Sequence, residues 1–232
     1  MIGICKNCKK KFKKREKKYI FCSISCSNIF HRNGLISIRK PQKNSTLAEF
    51  LGICLGDGST HKYQITISLN SIADAEYINY VVSLAKRLFP KITISIVKRK
   101  ANVIDIKINS SLAATFMKDM GIIPNNKTVP AWVYKRKIYK KRCVRGLVDT
   151  EGSISTKKYL NKNGEQVEYK QLNFRNYNPV LMKFVKDVLS DLDLKPSVSP
   201  VKSLYLSNPK SIKNYLKHIG FGNPKLLKKA LA

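Results

Sequence analysis

Acidic residues are scarce: 14 Asp and Glu stand against 45 Lys and Arg in 232 residues, a formal net charge of +31. Such an excess repels itself, and the usual counterpart is a polyanion, most often nucleic acid. Long apolar runs are missing, which argues against a membrane span, and the start of the chain, with Cys5 and a lysine run, does not read as a signal peptide. These absences predict an intracellular protein, neither secreted nor membrane-attached. Disorder is excluded by a hydrophobic content of 43 %, and the length allows one or two domains with real cores.

What the chain does have is a repeat. Ala48-Glu49-Phe50-Leu51-Gly52-Ile53-Cys54-Leu55-Gly56-Asp57-Gly58-Ser59 returns 94 positions later as Arg142-Cys143-Val144-Arg145-Gly146-Leu147-Val148-Asp149-Thr150-Glu151-Gly152-Ser153. Gly52 aligns with Gly146, Asp57 with Glu151 and Gly58 with Gly152. Residues four apart share a helical face, so the small residues Ala48, Gly52 and Gly56, and Gly146 and Thr150, let two helices approach at backbone distance. Gly58 and Gly152 are expected to end those helices in the left-handed conformation. One acid then hangs from the end of each of two touching helices. An acid there opposes the helix macrodipole, which hints at a purpose other than folding.

The two copies resemble the motif of the LAGLIDADG homing endonucleases, in the form that carries both motifs in one chain. The resemblance implies a pseudo-twofold pair of αββαββα halves whose sheets form a saddle over DNA. It also implies basic residues near the scissile phosphates, a role that falls on Lys127 and Lys225 here.

Residues 1–40 form a separate block. Cys5-x2-Cys8 and Cys22-x3-Cys26 have the spacing of a four-thiolate Zn²⁺ site, giving a small zinc-ribbon-like module. Its few apolar residues need such a staple. His31 is a spare ligand that four cysteines make unnecessary. With 13 Lys and Arg and one acid (Glu16) in residues 1–46, the block is also a DNA-contact candidate.

A linker over 37–45 leads to a helix starting at Thr46, with Glu49 closing a capping box. Alternation then predicts a strand over 63–69, and periodicity a helix over 72–89. Strands over 93–98 and 103–109 and a helix over 110–120 complete the first half. The second half repeats the order: strands at 152–160 and 166–173 around Asn163-Gly164, a helix over 179–192, strands near 198 and 203–206, a helix over 209–219. Each half reads helix, hairpin, helix, hairpin, helix. The fold class is α+β, with halves 41–138 and 139–232.

Hydrolysing a phosphodiester requires an activated water and a stabilised leaving oxygen. Asp57 and Glu151 are the candidate catalytic acids, holding Mg²⁺ between them. Asp149 is expected to make local contacts only. Lys127 and Lys225 follow the last helix of each half at nearly equal distances from Gly121 and Gly220. Asn70 and Asn176 fall near strand ends where the family places a polar residue. Outward strand residues expected to face DNA are Gln64, Thr66, Ser68, Lys98, Lys107, Lys157, Tyr169, Gln171, Asn173, Arg175 and Tyr205. The function expected is a site-specific endonuclease making a metal-dependent double-strand break in double-stranded DNA, acting as a monomer with an internal pseudo-dimer. The alternatives are an intron RNA maturase and a non-cleaving DNA-binding regulator on the same scaffold.

Overall fold

The computed structural model describes residues 2–14, 16, 18–35, 40–99, 101–199 and 202–232, without the side chains of residues 31–35. The side chain of His31 and part of the expected linker thus lie outside what is described. The chain divides into two compact units, Met1–Lys40 and Pro41–Ala232.

In the first unit, β1 (Ile2–Ile4) pairs antiparallel with β2 (Lys11–Lys13), and α1 (Ile24–Leu35) follows. Ile2, Ile4 and Ile24 are exposed, so this unit has little core of its own.

The second unit opens with α2 (Ser45–Asp57), capped by Asn44, whose Oδ1 accepts from the Leu47 N–H at 2.9 Å. The expected capping box does not form. Glu49 is buried and turns away from the helix start, accepting from the Tyr80 hydroxyl and meeting Arg142 at 3.0 Å and Arg145 at 3.4 Å. A buried carboxylate must be paired, and those partners outcompete the cap. Next come β3 (Gly58–Thr60), β4 (Ile65–Asn70), α3 (Ala75–Leu88), β5 (Ile94–Lys98), β6 (Val103–Ile108) and α4 (Ser111–Asp119). A short α5 (Ala131–Tyr134) leads to the second motif helix, α6 (Lys137–Glu151). The second half follows with β7 (Gly152–Leu160), β8 (Gln166–Arg175), α7 (Pro179–Ser190), β9 (Ser197–Ser199), β10 (Ser203–Leu206), α8 (Pro209–His218) and α9 (Pro224–Leu231).

The two four-stranded antiparallel sheets have equivalent orders, β3-β4-β6-β5 and β7-β8-β10-β9. Alternation gives each an apolar face, built from Ile65, Ile67, Leu69, Ile106 and Ile108 in the first and Ile154, Leu172, Phe174, Leu204 and Leu206 in the second. This is the duplicated α+β fold expected from the repeat.

Helices α2 and α6 pack against each other at the centre. A Cβ on Gly52 would lie 2.1 Å from the Cys143 carbonyl oxygen, and one on Gly146 would lie 2.2 Å from the Glu49 carbonyl oxygen. Only glycine permits that approach. Gly58 and Gly152 end the helices differently from the expectation: both are extended, with φ −90° and −93°. Their need for glycine is spatial, since a Cβ at Gly152 would meet the Val148 carbonyl oxygen at 2.3 Å.

Candidate active site

The close packing of α2 and α6 carries their last residues, Asp57 and Glu151, to a common point. A Cβ on Gly56 would touch Thr150 Oγ1 at 2.0 Å and the Glu151 side chain at 3.2 Å, so the two helix ends are in contact. Burial pushes the Asp57 carboxyl up to about 7, helped by the charge of Glu151 and opposed by Lys127. Glu151 is raised too, chiefly by burial, against the pull of Lys127 and of Asn176. Two partly desolvated carboxylates, one raising the proton affinity of the other, hold unmet negative charge, which suits a hard cation with oxygen ligands.

Lys127 reaches the same point from the loop after α4. Its Nζ donates to the Gly56 carbonyl at 2.6 Å, and burial lowers its pKa while Cys54, Glu151 and Asp57 oppose that shift. Its own carbonyl accepts from Asn178 Nδ2 at 2.7 Å. Asn176 Nδ2 donates to Glu151 Oε1 at 3.2 Å. Lys127, Glu151, Asn176, Asn178, Arg175 and Tyr177 line a cavity of about 1030 Å³.

The remaining expected residues divide. Asn70 does not mirror Asn176; its Oδ1 accepts from the N–H groups of Ile72 and Ala73 and so closes a turn. Lys225 does not mirror Lys127 either, because its Nζ lies 2.6 Å from Asp74 Oδ1. Asp149, expected to make local contacts, ties down the C-terminal loop. Its carboxylate accepts from the Gly222 N–H at 2.8 and 3.0 Å, and its carbonyl from Asn223 Nδ2 at 3.1 Å. Burial pushes its carboxyl up to about 7 even so.

On the sheets, strand register sorts the DNA-facing candidates. Thr66 and Ser68 pair with Lys107 and Asp105, and Gln64 continues that face. Lys157, Tyr169, Gln171, Asn173, Arg175 and Tyr205 share the corresponding face of the second sheet. Lys98 does not belong with them. It pairs with Ile104, on the face of Ile106 and Ile108, while Val97 pairs with Asp105 on the polar face. The sequence reading missed Asp105, which is 5 % exposed yet on the polar face; it accepts from the Ser68 hydroxyl at 2.8 Å and pairs with Arg99 at 3.6 Å. Its alternation with Ile104 and Ile106 was the available signal.

In the other unit, the four sulfurs of Cys5, Cys8, Cys22 and Cys26 lie within 4.8 Å of one another. Cys8 and Cys22 approach to 3.6 Å and Cys22 and Cys26 to 3.4 Å. Burial pushes the Cys5 thiol up, but backbone N–H groups of Cys8, Cys22 and Asn7 outweigh it and leave it at about 6. Hydrogen bonding to Cys26, Cys8 and Cys5 pushes Cys22 up to about 12. Sulfurs on the ligand shell of a tetrahedral Zn²⁺, each about 2.3 Å from the metal, have this kind of spacing. The donor set therefore fits zinc.

Comparison with solved structures places the fold. The chain is similar to I-DmoI, a homing endonuclease solved in complex with DNA and Mn, at 16 % identity, over 76 % of this chain and 96 % of that one, with a TM-score of 0.55. It is similar to the meganuclease I-SmaMI bound to uncleaveable DNA, at 13 % identity, over 83 % and 91 %, with a TM-score of 0.52. The N-terminal LAGLIDADG domain of DUF199/WhiA matches at 19 % identity, over 80 % and 86 %, with a TM-score of 0.51. No family model and no curated protein matches the sequence. At these identities the likeness establishes the fold. Among the described residues, no helix is long and apolar enough to cross a membrane.

Proposed function

We propose that this chain, which has the LAGLIDADG fold, is a site-specific DNA endonuclease that hydrolyses both strands of a duplex. The observation that carries the reading is the meeting of Asp57 and Glu151 at the touching ends of α2 and α6. A fold needs no such pair, and a protein that only binds DNA needs it no more.

Each cut forms a P–O bond to a water oxygen and breaks one P–O ester bond. The water gives up a proton and the leaving sugar oxygen takes one. Asp57 and Glu151 would hold a divalent cation, Mg²⁺ in this reading, which would supply Lewis acidity and acidify the attacking water. The chain's own groups do the positioning. Asn176 fixes Glu151 through Oε1, and Asn178 fixes the backbone of Lys127. That anchorage keeps an ammonium beside the carboxylates, where negative charge develops on the phosphate. The polar faces of the two sheets, from Gln64, Thr66 and Ser68 to Asn173 and Arg175, are positioned to read base edges.

In the same reading residues 1–40 are a Zn²⁺-stapled arm that adds phosphate contacts, residues 41–138 and 139–232 are the two halves, and the chain acts as a monomer. The test is incubation of the full chain with a library of duplexes carrying randomised inserts. Mg²⁺ should yield broken duplexes sharing one sequence, and Ca²⁺ should yield the same sequence bound but uncut. Binding of that sequence without cutting in Mg²⁺ or Mn²⁺ would make the protein a binder only.

A further inference from the structure

Helices α3 and α7 begin at equivalent points of the two halves, with Asp74 and Asn178 at their N-caps. Asn178 caps its helix, its Oδ1 accepting from the N–H groups of Val180 and Leu181. Asp74 makes no side-chain bond to its own helix. A carboxylate at a helix start is favoured by the free N–H groups and by the macrodipole, so turning it away requires a stronger partner. That partner is Lys225. Asp74 Oδ1 accepts from Lys225 Nζ at 2.6 Å and from Asn223 Nδ2 at 3.1 Å, and the Asp74 side chain is 12 % exposed.

The other half differs in charge. Where Asp74 stands in the first half, Asn178 is neutral and holds Lys127 by its backbone, leaving the ammonium on the Gly56 carbonyl. Lys127 lowers the proton affinity of both Asp57 and Glu151. Lys225 and Asp74 act on Asp57 in opposite senses. Lys127 thus has a neutral amide as its partner at the helix start, whereas Lys225 is paired there with a carboxylate.

We propose that Asp74 holds Lys225 in an ion pair that weakens the Asp57 side of the site, so that the strand cut there is broken after the strand cut on the Glu151 side. This inference rests on the endonuclease reading above. An ammonium already paired stabilises less of the charge that develops on phosphate, and Asp74 itself repels that charge. Removing one positioned donor from such a centre costs on the order of 10²–10³ in rate. A paired lysine is a partial removal, so the two strands should differ by about 10–100-fold. Asp74 is a positioning residue here, acting through Lys225.

The test uses the full chain with Mg²⁺ and a duplex recovered from the randomised-insert library, its two strands carrying different 5′ fluorophores. Under single-turnover conditions the unaltered protein should cut one strand about 10–100-fold faster and accumulate nicked duplex. Asp74→Asn retains a capping residue and should accelerate the slow strand alone, shrinking the nicked pool. Lys225→Met in the Asp74→Asn background should cancel that gain, and Lys127→Met should slow the fast strand. A merely structural role for Asp74 would not let its removal speed one strand selectively. Asp74→Ser, also a capping residue, replaces Asp74→Asn if the latter fails to fold. Equal strand rates in the unaltered protein, or Asp74→Asn slowing both strands, would overturn the inference and leave the endonuclease reading intact. Failure to cut either strand would remove that reading and the inference with it.

Discussion

Asp57 is held in a state its ordinary chemistry does not favour. Its carboxyl is moved from 3.8 to about 7 by burial, with Glu151 adding to the effect. The folded chain therefore binds this proton more tightly than the unfolded chain does. The stability this confers is complete below about pH 4 and disappears as pH rises through 7. A shift of that size corresponds to at most about 4 kcal/mol. Metal-free protein should accordingly lose stability between pH 4 and pH 7.5, and Asp57→Asn should escape that share of the loss. Denaturant unfolding in chelator should find the variant more stable at pH 7.5, with the gap closing at pH 4. A variant less stable at pH 7.5 would mean that Asp57 is satisfied where it stands. At this scale the sequence was legible where spacing alone brings groups together, as with Asp57 and Glu151 and with the four cysteines. It was not legible where a partner decides the role. Lys127 and Lys225 look alike in sequence, and what separates them is Asp74, 151 positions before Lys225. Glu49 looks like a capping residue until Arg142, 93 positions on, reaches it.

Among the elements, α2 and α6 were legible as a pair because their small residues repeat in phase. The structure gives that pairing its reason in backbone contact at Gly52 and Gly146. Gly→Ala on an open helix face stabilises by about 1 kcal/mol through propensity. At Gly146 the added methyl would meet the Glu49 carbonyl oxygen and, at 2.7 Å, the Ile53 nitrogen. Neither can move aside as a side chain would, and overpacking of this kind costs about 1–3 kcal/mol or more. Gly146→Ala should therefore lower Tm by several degrees, at about 2–4 °C per kcal/mol for a chain of this size. The sign decides, since a rise would mean that the helices are not locked at this distance. Strand register was less legible. Lys98 lies in an edge strand whose apolar and polar faces both carry exposed residues, Ile96 and Val97, so alternation alone does not fix its face. The C-terminal α9 is absent from the sequence-based element order although Asn223 and Pro224 mark its start, with Asn223 Oδ1 accepting from the Lys225 N–H at 3.0 Å.

For the whole molecule, a net charge of +31 makes affinity for DNA strongly dependent on salt. Each phosphate that the protein no longer neutralises should reduce the slope of log K against log salt by about 0.9. Removing residues 1–40 should flatten the slope as well as weaken binding, and an unchanged slope would reduce the arm to a tail. Elemental analysis of the full chain purified without chelator should find one zinc per chain, and Cys22→Ser should lower that figure. Absence of zinc from the unaltered protein would contradict the four-cysteine site. The claim on which the rest depends is that Asp57 and Glu151 together perform the cut. Its most direct test is the Asp57→Asn, Glu151→Gln double variant, assayed beside the unaltered chain on a supercoiled plasmid carrying the selected site. Both proteins should bind that site in Ca²⁺ with comparable affinity, because the amides keep the shape and remove the repulsion between the carboxylates. In Mg²⁺ the unaltered chain should convert the plasmid to linear form, while the double variant leaves it supercoiled, with neither nicks nor breaks. Linear product from the double variant at the unaltered rate would contradict the account.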